Sequence, residues 1–141
     1  MKPVIRSFSI LTLVMALSCG GAGNHGATEN QAVEAAEAWV VLVDQGEYEE
    51  SWEESSMLLK SAVTVEQWRQ TLEAARKPFG ELISRKLKGA EYTATMPGAP
   101  DGEYVVIQFE TSFTNKKAAV ETVTPMKDDD GIWRVSGYYI K

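Results

Sequence analysis

The chain contains one cysteine and one histidine in 141 residues. A single thiol closes no disulfide within the chain, and one of each residue cannot supply a cysteine/histidine zinc site. Basic residues are the minority, 14 against 20 acidic, for a net charge of −6. Nucleic acid would call for the opposite sign. No apolar run reaches the roughly 20 residues of a membrane-spanning helix. Internal repeats, His-x-x-His spacing and a Gly-rich phosphate loop are also missing. Against these absences stand four tryptophans, large side chains around which a small core can be built.

The beginning, "MKPVIRSFSILTLVMALSCGG", places Lys2 and Arg6 before an apolar run from Phe8 to Leu17, then small residues. That order reads as a secretory signal over residues 1–18. The only cysteine, Cys19, follows Ala16-Leu17-Ser18 and precedes Gly20, and the stretch resembles a bacterial lipobox. In such proteins the thiol receives a diacylglyceryl group, the signal is cut before the cysteine, and the new amino terminus takes a further acyl chain such as palmitate. The stretch departs from the commonest pattern, since Ala16 stands where leucine is usual and Leu17 follows it. The plain alternative is an ordinary signal cut after Ala-Leu-Ser with an incidental cysteine. Each buried methylene contributes about 0.8 kcal/mol, so two or three acyl chains would hold the domain at a membrane. Gly20 is not the aspartate that tends to retain such lipoproteins at the inner membrane, which points to the outer membrane, facing the periplasm. Loss of Lys2 and Arg6 leaves 12 basic residues against 20 acidic, a charge of about −8. The expected membrane contact is therefore the lipid on Cys19, and nucleic acid is not an expected partner.

Residues 19–27 read as the lipidated cysteine and a flexible Gly-rich tether that includes His25, and residues 28–141 as a single domain. Histidine chemistry needs orienting neighbours, so His25 is read as spacer. Thr28 with Gln31 forms a capping-box pattern, followed at helical spacing by Ala32, Ala35, Ala36, Trp39, Leu42 and Val43, with a stop at Gly46. A second, acid-rich helix carries Tyr48, Trp52 and Leu59. Thr64 with Gln67 opens a third, with Val65, Trp68, Leu72, Ala75 and Phe79 on one period. From Gly80 the period becomes two. "ELISRKLKGAEYTATMPG" predicts a long strand bulged around Gly89, and "GEYVVIQFETSF" a strand with one buried face. "AAVETVTPM" and "IWRVSGYYI" complete a meander after the turns "TNKK" and "DDDG". The expected fold is α+β: three N-terminal helices packed on a curved four-stranded antiparallel sheet, with Trp133, Val135 and Tyr139 closing the core.

Four segments carry a resemblance: "AWVVLVDQGEYEESWEESS", "VEQWRQTLEAARKPFGELISRKL", "PGAPDGEYVVIQFETSF" and "ETVTPMKDDDGIWRVSGYYIK". Across nearly all of residues 32–141 the chain resembles the domain-of-unknown-function family 4019, small bacterial secreted proteins and lipoproteins. The resemblance implies no catalytic residues, because that family has no established activity. The helix order and four strands are also similar to the cone-shaped fold of nuclear transport factor two and ketosteroid isomerase. Fold analogy assigns no reaction.

Enzymes on such a cone use a carboxylate or histidine base with an acidic or phenolic partner in a pocket between helices and sheet. With no histidine in the predicted domain, the candidate bases are Glu110 and Glu121, and Tyr104 or Tyr138 the candidate donors. Glu110 has the parity opposite to Ile107 and Phe109, so it is expected to face solvent or a partner. Trp39, Trp52, Trp68 and Trp133 are expected in the core, and would line the pocket if the cone is incompletely filled. Asp128, Asp129 and Asp130 before Gly131 suggest calcium only superficially, since Ile132 and Trp133 stand where the next ligands would be. A hairpin turn is the reading, and no cofactor is expected. Aromatics of both parities on the last strand, Trp133 and Tyr139 against Tyr138, hint at a second covered face in a homodimer or against a periplasmic protein. The sum is a non-catalytic binding or interaction module, with a small-molecule carrier or acid–base enzyme as the alternative.

Overall fold

The computed structural model describes residues 25–141; the signal, Cys19 and the tether up to residue 24 lie outside the described residues. The apolar stripe that begins at Ala32 forms α1 (His25–Asp44), which buries Ala32, Ala36, Trp39, Val40 and Val43. The helix is already formed at His25, upstream of the cap read at Thr28. His25 thus belongs to a helical turn instead of a tether, its ring centroid 4.6 Å from that of Tyr92. Gly46, at φ 76°, ends α1. Its N–H donates to the Val43 carbonyl and the Glu47 N–H to that of Leu42, a Schellman closure that satisfies carbonyls the helix leaves free.

Four helices form where three are expected, because the second divides into α2 (Tyr48–Glu53) and α3 (Met57–Ala62). Two buried serines cause the break. The Ser55 hydroxyl donates back to the Ser51 carbonyl at 2.6 Å. The Ser56 side chain accepts from the Leu59 N–H and so caps a new helix, while the Ser56 N–H leaves the helical ladder for the Val135 carbonyl at 2.9 Å. α4 (Val65–Ala75) opens on the expected capping box, with both reciprocal hydrogen bonds between Thr64 and Gln67, and a short 3₁₀ turn (Lys77–Phe79) follows it.

The strands β1 (Leu82–Thr93), β2 (Tyr104–Phe113), β3 (Lys116–Lys127) and β4 (Trp133–Ile140) pair in sequence order, all antiparallel. The fold is α+β, with an open sheet. β1 shifts register around Ile83 and again around Lys88, beside Gly89. α1 touches all four strands. Val105, Ile107, Phe109, Val123 and Val135 meet the helices in one core.

The last strand corrects an expected parity. Thr124 opposes Gly137 and Pro125 opposes Val135, so Ser136 is an extra residue. Pro125 has no N–H to give the ladder, and the facing strand absorbs the mismatch as a bulge, with the Ser136 hydroxyl donating to the Thr124 carbonyl at 2.7 Å. One added residue flips every side chain beyond it. Trp133 and Val135 point inward as expected, but Tyr138 rather than Tyr139 joins them, its ring 5.3 Å from that of Trp39. Tyr139 is 60% exposed.

Candidate functional site

On β3 the inward positions Ala119, Glu121 and Val123 alternate with outward ones, so the pleat carries a carboxylate into the core. Glu121 is wholly buried. Its Oε1 accepts from Arg85 Nε at 2.7 Å and from the Thr111 hydroxyl at 2.6 Å, and its Oε2 accepts from the Tyr138 phenol at 2.5 Å. Arg85 on β1 turns its two terminal nitrogens to Asp44 at the end of α1, at 2.7 and 2.9 Å. Asp44 also accepts from Arg76 Nη2 at 3.1 Å, and Arg76 Nη1 donates to the Gly80 carbonyl at 2.6 Å. The Arg76 guanidinium lies over the Phe113 ring. Two guanidinium groups thus face two carboxylates, and the cluster joins α1, the end of α4 and all four strands.

Electrostatics keeps the donors Tyr138 and Arg85 protonated. Burial raises the Tyr138 pKa, and the adjacent Glu121 charge raises it further, so the phenol stays protonated and donates. Burial works against the Arg85 charge, but hydrogen bonds to Asp44 and Glu121 outweigh it and raise its pKa. The cluster can brace helices against the sheet. Proton transfer to a substrate would require Glu121 to gain access and release a partner, because both its oxygens are engaged below the surface.

The other candidates fall elsewhere. Glu110 is exposed on the outer face of the sheet, opposite Lys86 on β1 and Val120 on β3. Tyr104 is buried, but its hydroxyl donates to the Pro100 carbonyl at 2.6 Å, beneath the 94–103 loop and apart from Glu121. Trp39 and Trp68 are core residues with satisfied indoles: Trp39 donates to the Ser51 carbonyl and Ser55 hydroxyl, and Trp68 to the Ser51 hydroxyl. Trp52 packs at the core margin and donates to the Val63 carbonyl at 3.0 Å. Trp133 is buried and its Nε1 has no hydrogen-bond partner among the described residues. The structure therefore joins only Glu121 and Tyr138 of the proposed acid–phenol set. It adds Asp44, Arg76, Arg85 and Thr111, which sequence reasoning missed.

A family model described as a protein of unknown function, DUF4019, matches residues 35–138. The chain belongs to this family. The matched span of this DUF4019 member includes α1 from Ala35 and the whole cluster from Asp44 to Tyr138. No curated protein and no solved structure matches the chain, so the comparison with nuclear transport factor two rests on architecture alone.

Two open concavities lie on the surface of this DUF4019 domain beside β4. One, of about 790 Å³, runs between the α2–α3 segment and the β3–β4 turn, with Met57, Leu58, Met126 and Asp129 in its walls. The other, of about 410 Å³, lies between α1 and β4 over Leu42, Ile132 and Trp133. Asp128, Asp129 and Asp130 form the expected hairpin turn, closed by the Gly131 N–H on the Asp128 carbonyl. Arg134 grips Asp128 and Asp130, each at 2.9 Å at closest. Its hydrogen bond and that from the Ile132 N–H lower the Asp130 pKa.

Proposed function

We propose that this chain is a lipid-anchored, non-catalytic interaction module of the bacterial cell envelope, held at the outer membrane and facing the periplasm by acyl chains on Cys19. The anchor reading rests on the order of charge, apolar run and small residues that ends at Cys19, with Gly20 after it. The observation that carries the non-catalytic reading is the state of Glu121. Glu121 has both carboxylate oxygens engaged and no exposed surface, which is how a brace is built, whereas a general base needs a lone pair that a substrate can reach. The open concavities are instead on the outside, where a macromolecule can reach them.

The test compares the full chain with its Cys19→Ser variant in a lipoprotein-processing bacterium, by membrane fractionation and metabolic labelling with an alkyne fatty acid. The parent chain is expected in the outer-membrane fraction with label, and the variant in the soluble periplasmic fraction without it. Unchanged membrane association of the variant would overturn the anchor. Catalysis would regain its place if Glu121→Gln abolished a turnover while leaving the thermal transition of the domain unmoved.

A further inference from the structure

We infer that the double cleft beside β4 docks a basic amphipathic segment of a partner protein. The two concavities share Glu54 and Arg134 in their walls, so they form adjoining parts of one surface. Together they exceed the roughly 300–1,000 Å³ of a small-ligand pocket. Their open form suits a chain segment laid along them.

Part of the lining is apolar. Met57 is 67% exposed and Ile132 53%, the first in the larger concavity and the second in the smaller, with Leu58, Met126 and Leu42 also in the walls. Single exposed apolar residues need no explanation, but Met57 and Ile132 stand in adjoining concavities with the half-buried Leu42, Leu58 and Met126 beside them, which together make a contact surface. Two of them are methionines, whose flexible, polarizable side chains adapt to the face of an incoming helix.

The lining of the larger concavity is acidic, with Glu53, Glu54 and three aspartates against Lys60 and Arg134. Arg134 is spent on Asp128 and Asp130, and Lys60 lies 5.6 Å over the Trp52 ring. Glu53, Glu54 and Asp129 enter no ion pair among the described residues. An apolar strip bordered by unpaired carboxylates complements a segment with leucine-like residues on one side and lysine or arginine on the other. Trp133 adds an independent observation. It lines the smaller concavity with its indole N–H buried and unpartnered, and a buried donor without an acceptor costs about 1–3 kcal/mol.

This inference rests on the interaction-module reading for a role in binding, and is independent of the anchor. The test uses the full chain carrying Cys19→Ser, so that no lipid recruits the probe, and a fluorescent helical peptide of leucine and lysine with segregated faces. Fluorescence anisotropy should show saturable binding. Raising salt from about 0.02 M to about 0.5 M should weaken it at least about tenfold. Glu54→Lys with Asp129→Lys should weaken it by about tenfold or more, and Met57→Ser with Ile132→Ser by a similar factor. A leucine–glutamate peptide should not bind, and a Lys86→Glu variant on the outer sheet face should bind like the parent. The inference is overturned by no saturable binding, by equal binding of lysine, glutamate and serine versions of the peptide, or by full affinity in both cleft variants. Each of these leaves the Cys19 fractionation result untouched, so failure of the docking site and failure of the anchor are read separately.

Discussion

Tyr138 donates its phenolic proton to Glu121 across a diagonal of the β3–β4 ladder, 17 positions apart in the chain and 2.5 Å apart in the core. The contact exists because Ser136 is an extra residue. Without it, the pleat would turn Tyr139 inward and Tyr138 outward.

Breaking a buried charge pair from one side costs more than its formation gains, since the other charge is left buried. Glu121→Gln should therefore lower unfolding free energy by about 3 kcal/mol, and Tyr138→Phe by about 2 kcal/mol through loss of a hydrogen bond to a charged acceptor. Because the two side chains touch, the double variant should cost about 1 kcal/mol less than the sum. Urea denaturation of the four species measures this, and strict additivity would mean that the pair does not interact.

The raised pKa of Tyr138 makes stability depend on pH at the alkaline end. The unfolded phenol titrates near 10.0 while the folded one resists, so the stabilisation is fully present below pH 10 and declines as pH rises past that value. Tyr48 and Tyr104 are raised as well, each chiefly by burial. Tyr138→Phe should flatten the alkaline arm in part and leave the rest to them. Melting temperatures from pH 8 to about 11 report it; an alkaline arm identical in the variant would contradict the assigned state of the phenol.

The bulge sorts two adjacent tyrosines into different environments. Tyr138→Ala should cost about 3 kcal/mol or more, whereas Tyr139→Ala should stay within about 0.5 kcal/mol. Equal losses in chemical denaturation would mean that both faces of β4 are covered, as a dimer would require.

Ser56 holds a helix start and a strand edge at one residue. Ser56→Ala removes the acceptor for the Leu59 N–H and should cost about 1 kcal/mol, with faster amide exchange concentrated in α3. Ser56→Gly, which is tolerated at a helix start and adds no volume to this buried site, should lose less protection than Ser56→Ala. Faster exchange spread evenly over the domain would argue against a local cap.

Much of the architecture was legible because it is periodic. The Ala32–Val43 stripe, the Thr64 capping box and the alternation from Val105 to Phe113 each depend on neighbours in the chain. Tyr48, Trp52 and Leu59 keep helical spacing and so predict one continuous helix; the break comes from the Ser56 N–H finding Val135, about eighty residues away. Glu121 left a readable trace, an acid at the parity of Ala119 and Val123. Arg85 left none, because two bulges on β1 obscure which of its residues face inward.

By itself, the sequence determined the class of elements, their order, the acidic charge and the α+β segregation, all of which follow from local periodicity and composition. It also determined membership in the family, through residues spread along the chain. Tertiary structure alone decided which tyrosine enters the core, that Glu121 is braced by Arg85, Thr111 and Tyr138, and that Arg85 and Arg76 share Asp44. Those outcomes depend on register and bulges, where a shift of one residue exchanges the two faces of a strand, and on hydrogen bonds between segments that only packing brings together.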